Sequence, residues 1–264
     1  MTSSEQVWPT LRFSTIIPTW NEIDYLPNLV ENLNSLAYVS EIIVADNEST
    51  DGTQQFATTA GCKVVTGGMP AVGRNAGAAV AQESLLLFVD ADAIMTGDVM
   101  DALVENFQNQ NVIAVHLRLK PLTTRRVIRF SYGLLDMYLL VCSALGRSYA
   151  VGTLIAVRKS AFESVGGFNE AVLVGEDFDF MRRLGQSRSG RIKYVRGRQI
   201  EVSARRFEVE SFMIYILKCL VWGTLRAIGT RHSLFRYKWT PYPRAEGAPA
   251  KLFDVSDIQC EPPD

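Results

Sequence analysis

Short apolar runs alternate along the first half of the chain with segments whose apolar residues recur at helical spacing. The run at 85–89 reads Leu-Leu-Leu-Phe-Val without a polar interruption, which is typical of a strand buried on both faces of a sheet. Shorter runs at 13–17, 42–45 and 63–65 also predict strands, and the segment 26–36 between two of them predicts a helix. This alternation predicts a parallel, doubly wound α/β sheet.

The second half is less regular but predicts the same kinds of element. Helices are expected at 98–107, 124–145, 158–164 and 175–184, and strands at 112–119, 149–157, 192–195 and 201–203. An apolar helix at 208–229 and a proline-rich tail from 240 close the chain. Because no internal repeat and no clear linker interrupts this pattern, we expect a single domain over residues 1–264.

Carboxylates follow the apolar run at 85–89 directly. Asp90 and Asp92 are two residues apart, so in extended chain both side chains point to the same side. Carboxylate oxygens are the ligands that Mg²⁺ and Mn²⁺ prefer, although acids also serve simply to solubilise a strand end. Thr19 and Asp46 end two other predicted strands, and ligands of such sheets bind at that shared edge. The shared position favours the binding interpretation.

Composition narrows the class of protein. A formal net charge of −1 and a pI near 6.2 argue against a nucleic-acid binder. The four cysteines are widely spread without a CxxC pair, and residues 1–10 carry no apolar run; both features predict a reduced protein of the cytoplasm. No uninterrupted apolar stretch reaches the length of a spanning helix, so we expect no integral membrane protein.

Five short motifs follow one another along the chain. They are the runs 14–22 (STIIPTWNE), 43–53 (IVADNESTDGT), 73–77 (GRNAG), 90–92 (DAD), and 166–168 (GGF) followed by Glu176-Asp177. Together they resemble the family 2 glycosyltransferases of GT-A fold, over about 13–207. The segment 202–207 also resembles small bacterial members of that family.

The resemblance implies a GT-A fold and a division of the chain. We expect a nucleotide-binding half at about 11–110, an acceptor-side half at about 111–207, and a C-terminal helix and tail at 208–264. In the family, the nucleotide pocket is lined at the positions matched by three residues of the first loop: Pro18, Thr19 and Glu22. Asp46 matches the acid that reads the base, and Arg74 matches an arginine near base and phosphates.

The remaining carried-over positions concern the reaction. Asp90 and Asp92 match the family's DxD motif, which holds ribose and a diphosphate bound to Mn²⁺ or Mg²⁺, and Asp177 matches the base that activates the acceptor hydroxyl. Arg205 and Arg206 fall where some members place cationic or metal-binding side chains. The histidine that often ligates the metal there is absent from this stretch.

The resemblance implies an inverting transferase that moves a sugar from a UDP- or GDP-linked donor to an acceptor hydroxyl. Two other hypotheses stay open: a sugar nucleotidyltransferase, and a non-catalytic sugar-nucleotide binder of the same fold. A Walker loop and a GxGxxG motif are both absent, which removes two common nucleotide-binding classes. The two aspartates of the DxD pair are too close in sequence to flank a glycosidic bond as hydrolase carboxylates do.

Two of the predicted helices are apolar and carry basic residues, a combination that is also found in helices that contact membrane surfaces. They begin near 124 and 208. Their apolar faces are expected either to contact a membrane surface or to pack on the domain or on a second copy of the chain. The first alternative places the protein peripherally at the inner face of the membrane and implies a lipid-linked acceptor; the second allows a homo-oligomer.

Overall fold

An eight-stranded sheet forms the centre of the protein, in the order β3-β2-β1-β4-β7-β6-β8-β5. The structure is a computed structural model and describes residues 11–146, 149–172 and 175–205. The strands are β1 (Phe13–Thr19), β2 (Val39–Asp46), β3 (Lys63–Thr66), β4 (Leu85–Val89), β5 (Ala93–Ile94), β6 (Val112–Leu122), β7 (Leu154–Arg158) and β8 (Arg191–Ser203). The helices are α1 (Leu26–Asn34), α2 (Thr53–Thr59), α3 (Pro70–Val80), α4 (Gly97–Phe107), α5 (Arg126–Ala144), α6 (Lys159–Ser164) and α7 (Glu176–Gln186).

The first four strands run parallel, as the alternation of strands and helices predicts. β1 pairs with β2 on one side and with β4 on the other, and β2 pairs with β3. In this register Thr19 lies opposite Asp46 at the carboxyl ends of their strands. Asp90 follows the end of β4 at the same edge. One edge of the sheet therefore collects polar residues from three separate loops.

β4 is apolar throughout because both of its faces are buried. Leu85, Leu87 and Val89 pack into the core on one side of the sheet, and Leu86 and Phe88 pack into the core on the other. All five side chains are fully excluded from solvent. Their alternation follows from the two-residue period of a strand, so the uninterrupted apolar run correctly predicts a strand covered on both faces.

β7 runs against its neighbours. It is antiparallel to both β4 and β6, so its first residues lie beside the carboxyl end of β4. The backbone N–H of Asp90 donates to the carbonyl of Thr153 at 3.1 Å. The strand predicted from residue 149 begins only at Leu154, which leaves the preceding residues to form a loop against Asp90.

Other elements also differ from the prediction. The two short strands expected near the end of the sheet form one, β8, which runs parallel to β6. β5 has two residues, too few to give an alternation pattern. No side chain caps α1, whose N-cap is Tyr25. The predicted helix at 208–229 and the tail lie outside the described residues, and the division into halves stays a prediction.

Gly77 lets α3 pack directly on β1. A Cβ at this position would lie 2.4 Å from Cγ2 of Ile16, which is fully buried in the core. Real carbon atoms do not approach so closely, and Ile16 has no empty space to move into because interiors are close-packed. α3 carries Arg74, so this contact also fixes the height of Arg74 above the sheet.

We predict that Gly77→Ala destabilises the fold by about 1–3 kcal/mol, the usual cost of overpacking a core. Gly133→Ala is the matched control, since Gly133 also lies in a helix, α5, but has nothing within 4 Å of its added Cβ. Because alanine favours helix over glycine by about 1 kcal/mol, the control is expected to be neutral or stabilising. Urea unfolding of both variants checks this; equal effects would contradict the close packing.

Candidate active site

The first part of the site is a set of hydrogen bonds around Asp46. The hydroxyl of Thr19 donates to Oδ1 of Asp46 at 2.9 Å. Ser49 donates to the same carboxylate twice, from its hydroxyl to Oδ1 at 2.6 Å and from its backbone N–H to Oδ2 at 2.9 Å. Asp46 is only 3% exposed. A carboxylate offers about four acceptor positions, so one remains available for a ligand.

Asn21 joins the loop after β1 to the loop after β2. Its backbone N–H donates to the hydroxyl of Ser49 at 2.8 Å, and its side-chain oxygen accepts the N–H of Thr50 at 2.8 Å. Asn21 has a φ of 57°, a left-handed conformation that asparagine tolerates better than most residues. Glu22 follows, and its N–H donates to the hydroxyl of Thr53 at 2.9 Å. These bonds fix the direction in which Glu22 leaves the loop.

Arg74 is the centre of the site. Its Nη2 lies 3.0 Å from Oδ1 of Asp90, and its Nη1 lies 2.7 Å from Oε1 of Glu176. The guanidinium thus connects the end of β4 to the first residue of α7, 86 residues later in the sequence. Its exposed fraction is 4%. Burial alone would lower the pKa of Arg74, but Asp90 and Glu176 hold it above the usual value.

Asp177 lies next to this ion pair. Its Oδ2 accepts the backbone N–H of Gly152 at 2.6 Å, in the loop that β7 brings to the edge. A Cβ at Gly152 would lie 2.8 Å from Nη2 of Arg74 and 3.3 Å from Oδ2 of Asp177, so a side chain here would push the Arg74 guanidinium from its observed position. Burial, then the charge of Glu176, raises the pKa of Asp177 to about 7, while Arg74 opposes the rise.

Arg205 makes a second arginine centre on the other side of the DxD motif. Its Nε lies 3.0 Å from Oδ2 of Asp92, and its Nη2 lies 2.6 Å from Oε1 of Glu22. The guanidinium also lies 4.5 Å from the ring centroid of Tyr25, at the distance of a cation–π contact. Burial raises the pKa of Glu22 to about 7, although Arg205 lowers it.

Negative charge exceeds positive charge in this cluster. The carboxyl groups of Glu22, Asp90, Asp92, Glu176 and Asp177 share the guanidinium groups of Arg74 and Arg205. Oε2 of Glu22 is buried and has no hydrogen-bond partner in the described part of the chain. Such an excess of carboxylates attracts a divalent cation electrostatically, because its two positive charges would balance the uncompensated negative charge.

The carboxylate oxygens of Asp90 and Asp92 are also the kind of ligand that Mg²⁺ and Mn²⁺ prefer. Asp90 is 31% exposed and Asp92 is 16% exposed, so the carboxylate of Asp90 in particular can reach an incoming cation. Within residues 11–146, 149–172 and 175–205, no three His, Cys, Asp or Glu side chains are grouped closely enough to hold an ion by themselves. Mg²⁺ is often held by one or two carboxylates together with substrate phosphates, which fits this arrangement.

Two contributors were missed by reading the sequence. Acids in the first turn of a helix ordinarily complement its dipole, and nothing in the sequence sets Glu176 apart from that role, but it is the partner of Arg74. Gly152 was an ordinary small residue of a predicted strand, and its role depends on the reversal of β7. The same dipole interpretation was adequate for Asp179, which pairs with Arg182 and Arg183 of its own helix.

Other predicted residues lie where their local sequence suggests. Pro18 lies in β1 opposite Ala45 of β2, at the edge that carries Thr19. His116 lies in the apolar run predicted as a strand at 112–119, is 3% exposed and stacks on Tyr194; burial lowers its pKa to about 3. Arg206 lies outside the described residues.

Comparisons with known proteins agree with this geometry. The sequence profile of glycosyl transferase family 2 matches residues 14–166, which is more than half of the chain and includes the edge residues from Thr19 to Asp92. A pre-mycofactocin glycosyltransferase of Mycobacterium tuberculosis is 26% identical over 193 residues, covering 69% of this chain and 40% of the relative. The chain thus spans less than half the length of that relative.

Solved structures share the fold. TarS 1-349 of S. aureus in complex with UDP-GlcNAc superposes with a TM-score of 0.59 at 21% identity, over 73% of this chain and 58% of that one. The mannosyltransferase PcManGT of Pyrobaculum calidifontis, in complex with GDP-Man and Mn²⁺, superposes with a TM-score of 0.58 at 20% identity, over 72% and 56%. These similarities confirm the predicted GT-A fold, and with the match to residues 14–166 they establish that the chain belongs to glycosyl transferase family 2.

Proposed function

We propose that the protein is an inverting, metal-dependent glycosyltransferase that moves a sugar from a nucleotide diphosphate sugar to an acceptor hydroxyl. The observation that carries this proposal is the position of Arg74, which contacts both Asp90 and Glu176. Asp177 follows Glu176 directly, so the DxD motif and the candidate base belong to one charged cluster. A single displacement needs these two functions on opposite sides of the same sugar carbon, and it inverts the anomeric configuration.

The donor occupies the carboxyl edge of β1, β2 and β4 in this proposal. Asp46 has acceptor capacity left for the N–H groups of a base, and its position is fixed by Thr19 and Ser49. Glu22 and Arg205 lie between this point and Asp92, where ribose and phosphates follow the base. UDP-GlcNAc is bound by TarS and GDP-Man by PcManGT, which supports a UDP or GDP sugar here.

Asp177 takes the proton of the acceptor hydroxyl. A general base works best when its pKa lies near the working pH, and burial raises the pKa of Asp177 to about 7. The N–H of Gly152 holds Oδ2 at 2.6 Å, which fixes the direction of the carboxylate. Arg74 keeps a positive charge beside Asp177, so that the ionised form needed for proton transfer persists near neutral pH.

Asp90 and Asp92 would hold the divalent cation. When bound there, the cation would neutralise charge on the departing nucleoside diphosphate. The chain's own contribution is to fix the two carboxylates beforehand, because Arg74 orients Asp90 and Arg205 orients Asp92. Arg205 also adds positive charge on the side of Asp92 that faces Glu22.

We predict that Asp177→Asn lowers turnover by about 10²–10⁴-fold, the usual contribution of a general base. The amide keeps the shape of the side chain but cannot accept the proton. Binding of the nucleotide sugar should persist, because in this proposal Asp177 faces the acceptor hydroxyl and other residues hold the nucleotide. The measurement is release of nucleoside diphosphate from a panel of UDP and GDP sugars, with donor affinity determined by calorimetry.

Asp179→Asn is the matched control, because Asp179 lies in the same helix and pairs with Arg182 and Arg183 of that helix. It should retain turnover. Full activity of Asp177→Asn would contradict the assignment of the base. Pyrophosphate as product would instead identify a nucleotidyltransferase, and donor binding without turnover in the unaltered protein would identify a binding protein.

We also predict that donor stabilises the fold only when a divalent cation is present. A ligand at one hundred times its dissociation constant adds about 2.7 kcal/mol to the free energy of unfolding. With a UDP or GDP sugar present, the midpoint temperature of thermal unfolding should therefore rise when Mn²⁺ is added. The rise should disappear when a chelator removes the Mn²⁺.

Asp92→Asn tests the residue assignment, with Asp98→Asn as control because Asp98 is exposed and lies on α4. The comparison is made within each variant, with and without Mn²⁺, so that any loss of basal stability cancels. The Asp92 variant should lose the Mn²⁺-dependent shift and the Asp98 variant should keep it. A donor shift that ignores the chelator would refute the metal site.

A further inference from the structure

The outer face of α5 is apolar and exposed. Its exposed large side chains recur at intervals of three and four residues, which places them in one stripe along the helix. They are Val127, Phe130, Leu134, Met137, Tyr138 and Val141. Phe130 is 68% exposed and Val127 is 66% exposed. Contiguous apolar surface of this kind marks a binding face rather than ordinary scattered exposure.

The opposite face of α5 is anchored to the sheet. Ile128, Leu139 and Cys142 are buried there. Asp136, also buried, pairs with Arg196 of β8 at 2.8 Å and with Arg118 of β6 at 3.4 Å, and it accepts the hydroxyl of Tyr194. These contacts hold the helix along the surface of the protein.

The anchoring decides how α5 can meet a bilayer. By length and composition, α5 is apolar enough to cross a membrane. To do so it would have to withdraw Asp136 from its arginine partners and carry a carboxylate into hydrocarbon, which is costly. An orientation along the bilayer surface keeps the ion pairs and still buries the apolar stripe, as in helices that lie in the membrane interface.

The charge around the stripe selects the kind of surface. Arg125, Arg126 and Arg129 are all exposed at the first turn of the helix. Within residues 126–144, all of them described, the one acidic side chain is Asp136 on the buried face. A cavity of about 660 Å³ adjoins Phe130, and it is lined by the basic residues Arg118, Lys120 and Arg129. Among residues 126–144 and the residues that line this cavity, every charged side chain that reaches the surface is therefore positive.

We propose that α5 docks the protein on an anionic phospholipid bilayer. The apolar stripe enters the interface between headgroups and acyl chains, and the basic residues at its start and in the adjoining cavity bind lipid phosphates. A second copy of the chain offers these basic residues no exposed acidic partner on α5, whichever way the two helices run, because Asp136 is buried. Charge complementarity thus favours lipid over self-association.

The docked face lies close to the candidate base. Tyr138 stacks on Tyr149 with centroids 6.2 Å apart, and Tyr149 stacks on Phe178 at 5.5 Å. Phe178 follows Asp177 in the sequence. A bilayer against α5 would therefore lie on the acceptor side of the molecule. Docking itself does not depend on catalysis, so it can be tested without an acceptor.

The test is flotation of the full chain with vesicles of phosphatidylcholine alone and of phosphatidylcholine with phosphatidylglycerol. We expect binding to the anionic vesicles, weakened by salt because exposed charges are screened, and at least a tenfold weaker partition to neutral ones. Phe130→Gln with Leu134→Gln should lower partition to the anionic vesicles about tenfold or more. Hydrogen exchange should slow in residues 126–144 when vesicles are added.

Charge is tested separately with matched variants. Arg125, Arg126 and Arg129 are replaced together by Gln, and the control replaces the equally exposed Arg12, Arg188 and Arg191 by Gln. The first triple variant should lose anionic binding and the second should keep it. Equal loss in both, no vesicle binding at all, or a dimer that dissociates in Phe130→Gln with Leu134→Gln would overturn the proposal. Turnover on a soluble acceptor reports separately on the proposed function.

Discussion

One buried guanidinium holds the two halves of the site together. Arg74 reaches Asp90 at the end of β4 and Glu176 at the start of α7, and it is itself held in place by the close packing of Gly77 on Ile16. A buried arginine without partners would be very costly, and removing one partner of a buried ion pair typically costs about 3–5 kcal/mol. The fold therefore keeps α7, and with it Asp177, beside the DxD motif.

The same arrangement sets the protonation of the site. Carboxyl groups outnumber guanidinium groups around the DxD motif, and burial raises the pKa of both Glu22 and Asp177 to about 7. The positive charges of Arg205 and Arg74 act against this rise, at Glu22 and at Asp177 respectively. Arg74 contacts Asp90 and also lowers the pKa of Asp177. A change of charge at Asp90 is therefore linked through the Arg74 side chain to the proton affinity of Asp177.

Sequence patterns predicted the parallel half of the sheet well, because β4 is buried on both faces and its apolar run has no other simple explanation. They could not predict the antiparallel course of β7 or the two-residue β5, since strand direction and very short pairings depend on distant contacts. The family resemblance pointed to Asp90, Asp92 and Asp177, and the structure brings all three into one charged cluster. Reading the sequence missed Glu176 and Gly152, whose roles arise only when loops distant in sequence meet.

The most direct test of this account is the pH dependence of turnover in Arg74→Gln at saturating donor. Protonated Asp177 cannot accept a proton, so turnover of the unaltered enzyme should rise with pH, with its midpoint near the pKa of about 7. Arg74 lowers the pKa of Asp177, so its removal should move the midpoint to higher pH. The midpoint does not depend on how much of the variant is folded. An unchanged or lower midpoint would contradict the link between Arg74 and the base.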